Sequence, residues 1–182
     1  MDQRRDQAMF AGLLIVFAIA TRILFNTIHF YNFNAVMASG LFAGAYLGRK
    51  RIGLIVPLFA LFITDLAIGV YDWKLMVVVY GALAIAVFIG KYYAKNATLL
   101  RYTGSVLGGS LLFYVATNGA VWLFGDGTFY PHTMGGLIQC YTMGLPFYRN
   151  TLLGDLTWTT VLFGSYELFR LRAPRSGIQT AV

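Results

Sequence analysis

The sequence predicts an all-α integral membrane protein with six transmembrane helices and an additional re-entrant or interfacial segment on the outer side. Hydrophobic residues make up 58% of the 182 residues and charged residues only 12%, whereas a soluble domain averages about 25% charged residues. The charges fall in short clusters between apolar runs, each close to the roughly 20 residues that a bilayer-spanning helix needs. This composition disfavours both a soluble enzyme and a disordered chain.

Six apolar runs define the predicted helices of a single membrane domain over residues 1–172. The runs cover residues 8–25, 33–48, 52–71, 75–93, 99–118 and 150–169. The second run is short, so its helix has to start within the preceding segment 31–34. Strands of a β-barrel would be shorter and would alternate apolar with polar residues, which these runs do not. Residues 173–182 are predicted to form a disordered cytoplasmic tail.

The segment 119–149 is too long for a plain loop. Its part from Thr133 to Phe147 is apolar but spans only 15 residues, which suits a re-entrant or interfacial helix better than a membrane span. The residues 130–133 are typical of a turn followed by a helix N-cap. Pro146 is expected to end this helix.

The basic residues predict a multi-pass membrane protein with both termini in the cytoplasm. If the N-terminus is inside, only three of the fourteen basic residues fall outside the cytoplasmic segments: Arg22, Lys74 and Arg149. The cytoplasmic set is Arg4, Arg5, Arg49, Lys50, Arg51, Lys91, Lys95, Arg101, Arg170, Arg172 and Arg175. This clustering explains the net charge of +7 without a nucleic-acid partner. A cleaved signal peptide is disfavoured, because five helices would break the alternation.

Two stripes of small residues predict close helix packing, because small side chains four residues apart let another helix approach. The stripes consist of Gly40, Gly44 and Gly48 in the second helix and of Ala82, Ala86 and Gly90 in the fourth. Packing within the bundle is the preferred interpretation. The alternative is a docking face for a separate membrane protein.

The first and the third predicted helices each contain an ionisable residue, in a position where a charge is costly and often functional. Arg22 lies about three-quarters of the way along the first helix, and Asp65 about two-thirds of the way along the third, both toward the outside. Their similar depth predicts a salt bridge. Asn26 and His29 follow Arg22 at the i+4 and i+7 positions of the same helix face.

Further polar groups of the fifth and sixth helices are predicted to lie in the same outer half of the bundle. The sequence therefore predicts a binding cavity that opens to the outside, under a lid formed by the segment 119–149, with no continuous polar path to the cytoplasm. The candidate substrate-binding residues are Arg22, Asn26, Asp65, Asn118, Trp122, Tyr130, His132, Arg149 and Asp155.

No catalytic motif indicates an enzyme, since the metalloprotease, phosphate-binding-loop and nucleophile-elbow patterns are all missing from the sequence. No cofactor or metal is predicted either. His29 and His132 supply at best part of a metal site. Cys140 is expected to be a small apolar residue, with a soft-metal ligand as the alternative.

The chain resembles a family of small bacterial membrane proteins of unknown function. The resemblance rests on Asn32-Phe33-Asn34, on Pro57 followed by Thr64-Asp65, and on an outer segment. That segment contains Tyr130-Pro131, Gly136-Leu137, Cys140-Tyr141 and Pro146-Phe147. More distantly, the chain is similar to the substrate-binding S components of energy-coupling-factor (ECF) transporters and to a solitary cobalamin transporter related to them. The docking motif of S components is only weakly matched, by Ala8 and Gly12.

The resemblance implies a protein of the bacterial inner membrane, with an S-component-like bundle, that captures a small vitamin-like solute and helps to import it. An ECF-type coupling subunit and partner ATPases would supply the energy, or the protein would work alone by facilitated diffusion. The alternative is a membrane assembly or scaffold protein that holds its partners through the glycine stripes.

Overall fold

The computed structural model describes residues 3–47, 52–94 and 99–172, which contain six α-helices and no β-strand. The helices are α1 (Gln3–Thr27), α2 (Val36–Tyr46), α3 (Ile52–Ile68), α4 (Trp73–Ala94), α5 (Leu99–Phe124) and α6 (Met134–Arg172). The predicted all-helical fold with six helices is therefore confirmed. The predicted tail at 173–182 lies outside the described residues.

The second helix is shorter than predicted and lies at the centre of the bundle. Every residue from Val36 to Gly44 is buried. The helix begins only after Asn34, whose side-chain Oδ1 accepts a hydrogen bond from the backbone N–H of Val36 at 3.1 Å. Its 11 residues correspond to about 16 Å at 1.5 Å per residue. This helix alone is therefore too short for the membrane span predicted over 33–48.

The glycine stripe of α2 faces other helices of the same bundle. A Cβ atom on Gly40 would lie 2.6 Å from Cγ of Pro57 in α3 and 2.8 Å from Cγ2 of Val87 in α4. A Cβ atom on Gly53 of α3 would lie 2.7 Å from Cα of Gly44. The two helices meet backbone to backbone, so Gly40 and Gly44 serve packing within the bundle.

The alanine stripe of α4 is also internal over its described part. Ala82 and Ala86 are both buried. A Cβ atom on Gly109 of α5 would lie 3.3 Å from Cβ of Ala86, which places the stripe against α5. Gly48 and the surroundings of Gly90 lie outside the described residues.

The outer segment 119–149 does not form a separate re-entrant helix, because it comprises the end of α5, the connection 125–133 and the first half of α6. This helix continues through Pro146, which the sequence predicted as its end. A proline removes one helical hydrogen bond, but the first half of α6 is held against α5 by three others. The hydroxyl group of Tyr114 donates a hydrogen bond to the backbone oxygen of Tyr141 at 2.6 Å. The hydroxyl group of Tyr141 in turn donates one to the backbone oxygen of Val115 at 2.8 Å. Cys140 donates its Sγ to the backbone oxygen of Asn118 at 3.3 Å.

Two segments of the described helices are long and apolar enough to cross a membrane: Gln7–Thr27 in α1 and Thr103–Phe124 in α5. The number of helices therefore agrees with the six predicted spans, but within the described residues only these two helices are long and apolar enough to cross a membrane. Shorter apolar stretches cover Val36–Tyr46, Ile52–Ile68 and Trp73–Phe88. The long α6 interrupts its apolar sequence with Arg149, Asn150 and Asp155.

The contact between Gly53 and Gly44 predicts a destabilising Gly53→Ala substitution. Alanine is intrinsically favoured over glycine within a helix by about 1 kcal/mol, but the added Cβ meets backbone atoms that no rotamer change can move. We expect the free energy of unfolding in detergent to fall by about 1–3 kcal/mol.

Gly12→Ala in α1 is the matched control, since nothing lies within 4 Å of the added Cβ. It should leave the stability unchanged or raise it by up to about 1 kcal/mol. Equal thermal unfolding of the two variants would contradict the close packing of α2 on α3.

Candidate functional site

A cavity of about 300 Å³ lies inside the helix bundle, and all six helices contribute to its wall. Two connections also contribute, the one between α1 and α2 and the one between α3 and α4, so the cavity lies near that end of the bundle. The lining residues are Arg22, Asn32, Asn34, Val36, Met37, Leu61, Tyr71, Val79, Leu83, Phe113, Thr117, Thr151 and Asp155. Amides, hydroxyls and charged groups thus share the wall with aliphatic and aromatic side chains.

The predicted salt bridge between Arg22 and Asp65 is confirmed. Nη2 of Arg22 lies 2.6 Å from Oδ1 of Asp65, whose side chain is 2% exposed, while that of Arg22 is 21% exposed. Nη1 of Arg22 donates to the backbone oxygen of Leu61 at 3.1 Å and to Oγ1 of Thr64. The second carboxylate oxygen, Oδ2, accepts a hydrogen bond from Oη of Tyr80 at 2.8 Å. Both charged groups are therefore compensated, and the pair joins α1, α3 and α4.

Tyr71 forms the part of the cavity wall that lies between α3 and α4. Its side chain offers the cavity a hydroxyl group and an aromatic ring.

Asp155 lines the cavity from α6 and is 4% exposed. Ser110 of α5 donates its hydroxyl to Oδ2 of Asp155 at 2.6 Å. Within the part of the chain that the structure describes, no basic side chain forms an ion pair with this carboxylate. Asp155 thus differs from Asp65, which faces a guanidinium.

The connection between α1 and α2 is fixed against α6 and places two asparagines at the cavity. His29 and Asn32 adopt left-handed backbone conformations, with φ angles of 60° and 67°, in which asparagine and histidine are enriched among residues other than glycine. Nδ2 of Asn150 donates to the backbone oxygen of Tyr31 at 3.0 Å. The connection also passes close over Gly154, whose added Cβ would lie 3.1 Å from the backbone nitrogen of Asn34. Asn32 and Asn34 are thereby held in the cavity wall.

Several of the sequence-predicted site residues do not line the cavity. Asn118 directly follows Thr117, which does line it, but the Asn118 side chain faces α6 instead. Its Nδ2 donates to the backbone oxygen of Tyr114 at 2.9 Å, and its side chain meets Gly144. Trp122 lies further along the same helix. These residues belong to the contact between the end of α5 and the start of α6.

The predicted lid residues surround the connection between α5 and α6. Nε1 of Trp122 donates to the backbone oxygen of Pro131 at 3.0 Å, and its ring packs edge-on against His132 with 5.6 Å between the centroids. Tyr130 lines a separate cleft together with Val121 and Phe129.

Of the nine predicted site residues, the structure thus brings Arg22 and Asp155 to one cavity and places Asp65 directly behind Arg22. Asn26 is half-buried and Arg149 is exposed, and neither lines the cavity. Ligand binding by any of the nine remains a prediction.

The sequence interpretation missed several residues of the wall and its support. Asn32 and Asn34 stood out only as part of an asparagine-rich stretch. Tyr80 and Ser110, which partner the two buried carboxylates, carry no signal of their own, because tyrosine and serine are common within apolar helices.

The described residues contain no group of three or more His, Cys, Asp or Glu side chains that would hold a metal ion. Cys140 is buried where α5 and α6 meet and lies apart from the cavity lining. The groups that the cavity wall presents are a guanidinium, a carboxyl group, amides and hydroxyls beside apolar side chains.

The chain belongs to a family of unknown function, DUF6580, whose model matches residues 2–176. No curated protein and no solved structure matches it. The resemblance to a family of unknown function is thereby confirmed, and the more distant likeness to S components stays a prediction.

The ion pair predicts a strong non-additivity between substitutions at its two positions. Arg22→Met or Asp65→Leu alone should lower the free energy of unfolding by about 3–5 kcal/mol, because either change leaves the other charge buried without its partner. The double variant should lose less than either single variant. Thermal unfolding in detergent, run as a double-mutant cycle, measures the difference.

Tyr80→Phe provides an intermediate case in the same experiment. It removes one hydrogen bond to a charged acceptor, a loss of about 1.5–3 kcal/mol, while the ion pair itself stays. Purely additive effects of the Arg22 and Asp65 substitutions would mean that the two charges do not compensate each other.

Proposed function

We propose that this member of the DUF6580 family is a multi-pass membrane protein that binds a small, vitamin-like solute and helps to import it. Its mode of action would be that of an ECF S component or of a solitary relative. The observation that carries the proposal is the cavity of about 300 Å³ with buried ionisable and amide groups in its wall. Clefts of this size are typical of small-molecule sites, and polar groups that only stabilise a fold have no need of a shared cavity.

The apolar outer surface of the bundle supports the proposal that the protein lies in a lipid bilayer. Large apolar side chains point outward at helical spacing along α1 and α3 in particular. Among them are Met9, Leu13 and Val16 in α1 and Ile55, Phe59, Phe62 and Leu66 in α3. A soluble monomer rarely exposes apolar patches of more than a few hundred Å². Lipid is the solvent that such a surface needs.

The charge pattern supports an inner-membrane orientation with the cavity toward the outside. The cavity lies near the α1–α2 and α3–α4 connections, and the basic clusters fall at the opposite ends of these helices. Because basic residues favour the cytoplasmic side, the cavity would face the extracytoplasmic compartment. This is the arrangement that a protein capturing a solute from outside requires.

The energy for transport would come from partner proteins, or the protein would work alone by facilitated diffusion. The sequence has no phosphate-binding loop of its own, so active import would need an ECF-type coupling subunit with ATPases. The alternative of a scaffold protein relied on the glycine stripes as a docking face. Gly40 and Gly44 instead pack on α3 and α4, which removes that support.

The proposed orientation predicts on which side of the membrane each reporter fusion will lie in bacterial cells. Fusions after Arg51, Lys95 and Arg172 should report a cytoplasmic location, and a fusion after Asp126 should report the opposite side. An outside signal from any of the first three would contradict a six-span topology with both termini inside.

If the cavity holds the solute, a bulky side chain that fills the cavity should abolish solute binding. Val79→Trp introduces a bulky ring into the cavity wall, whereas Val77→Trp places the same ring on the 63% exposed face of the same helix. Equilibrium dialysis of the nanodisc-embedded protein against labelled water-soluble vitamins measures the effect. We expect at least one vitamin to bind the wild type and Val77→Trp but not Val79→Trp. Equal binding by both variants would place the site elsewhere.

A further inference from the structure

The charges in and behind the cavity wall do not balance. Arg22 and Asp65 compensate each other at 2.6 Å, so together they add no net charge. Asp155 lines the same cavity and forms no ion pair within the described residues. An ionised Asp155 would give the cavity one uncompensated negative charge.

The carboxylate of Asp155 is built into its position and remains incompletely partnered. Only 4% of the residue is exposed. Ser110 donates one hydrogen bond to Oδ2 at 2.6 Å, and among the described residues no donor reaches Oδ1. Burial of a carboxylate is costly unless it is paired and hydrogen-bonded. A buried acidic side chain with a free oxygen at a cavity is therefore suited to a ligand that brings a positive charge and N–H donors.

The guanidinium of Arg22 is less suited to bind an anionic ligand. Its two terminal nitrogens already donate to the carboxylate of Asp65, to the hydroxyl of Thr64 and to the backbone oxygen of Leu61. A ligand carboxylate would have to compete with Asp65 for the same cation. The fixed charges thus favour a cationic solute over an anionic one.

The rest of the wall fits an aromatic or aliphatic body on that solute. Phe113, Leu83, Val79 and Tyr71 line the cavity together with Asp155. Aromatic faces also attract organic cations. A bare metal ion fits less well, because the described residues offer no set of three acidic, histidine or cysteine ligands.

We propose that the cavity selects a small organic cation, an aromatic or heteroaromatic amine, whose positively charged nitrogen pairs with Asp155 and whose ring lies against Phe113 and Leu83. This inference rests on the proposed function and deepens it by naming the class of solute. It assigns Asp155 as the residue that determines charge specificity.

Three probes of similar size and different charge test the proposal: benzylamine, benzyl alcohol and benzoate. Their binding to the full-length protein in nanodiscs is measured by isothermal titration and by the shift in thermal unfolding. We expect benzylamine to bind the wild type at least about tenfold more tightly than the alcohol, as a hydrogen-bonded charge pair implies, and benzoate to bind most weakly. Benzylamine that binds no better than the alcohol, or benzoate that binds best, overturns the proposal.

Asp155→Asn keeps the shape of the side chain and removes its charge, so it should abolish the preference for benzylamine over benzyl alcohol. Asp126→Asn is the matched control, because Asp126 is an exposed acid outside the cavity, and it should leave the preference unchanged. An unchanged preference in Asp155→Asn contradicts the assignment. If that variant does not fold, the comparison of the three probes on the wild type still decides.

Val79→Trp separates this inference from the proposed function. If benzoate or benzyl alcohol binds the wild type best and Val79→Trp abolishes that binding, the cavity is still a solute site, but it prefers a solute of different charge. Probe binding that Val79→Trp does not change lies outside the cavity, and both proposals would then fail.

Discussion

The pairing of Arg22 with Asp65 is the constraint on which the arrangement of the helices depends. Each charge alone would be expensive in its apolar surroundings, so α1 and α3 can pack only at the height where the two groups meet. Leu61 and Thr64, four residues and one residue before Asp65, accept hydrogen bonds from Nη1 of the guanidinium. Tyr80 adds a contact from α4. One ion pair thereby fixes three helices relative to one another and forms one wall of the cavity.

The opposite wall depends on the antiparallel contact of α5 with α6. The two helices meet through a series of polar contacts that runs from Ser110 and Asp155 to Asn118 and Gly144. Because each contact fixes the same register, Asp155 is held at the height of the cavity, and the first half of α6 lies alongside the end of α5. This register also explains why Pro146 does not end the helix: the packing on both of its sides keeps the chain helical.

The helix number, the ion pair and the internal glycine packing could be predicted from the sequence, because a simple physical rule links each of them to a local sequence pattern. A buried charge requires a partner, and small residues at every fourth position favour close helix contact. The error at Asn118 has an equally physical origin. The fifth helix was predicted to end there, whereas it continues to Phe124. Asn118 therefore lies within the contact between α5 and α6, where its side chain packs against Gly144, while the neighbouring Thr117 lines the cavity. Tyr80 and Ser110 depend on three-dimensional proximity alone and could not be predicted.

The shortness of α2 gives a physical reason for a cavity at this place. α2 is the central helix, yet it begins only at Val36 and has 11 residues, while its neighbours α1 and α5 are more than twice as long. Beyond the start of α2, the bundle axis is therefore not filled by a helix, and the cavity lies there, with Val36 and Met37 in its wall. The connection that precedes α2 contributes two amides to the same wall. Because this space is bounded by amides and a buried carboxylate, water or another polar molecule can fill it, and the bundle does not need a helix there.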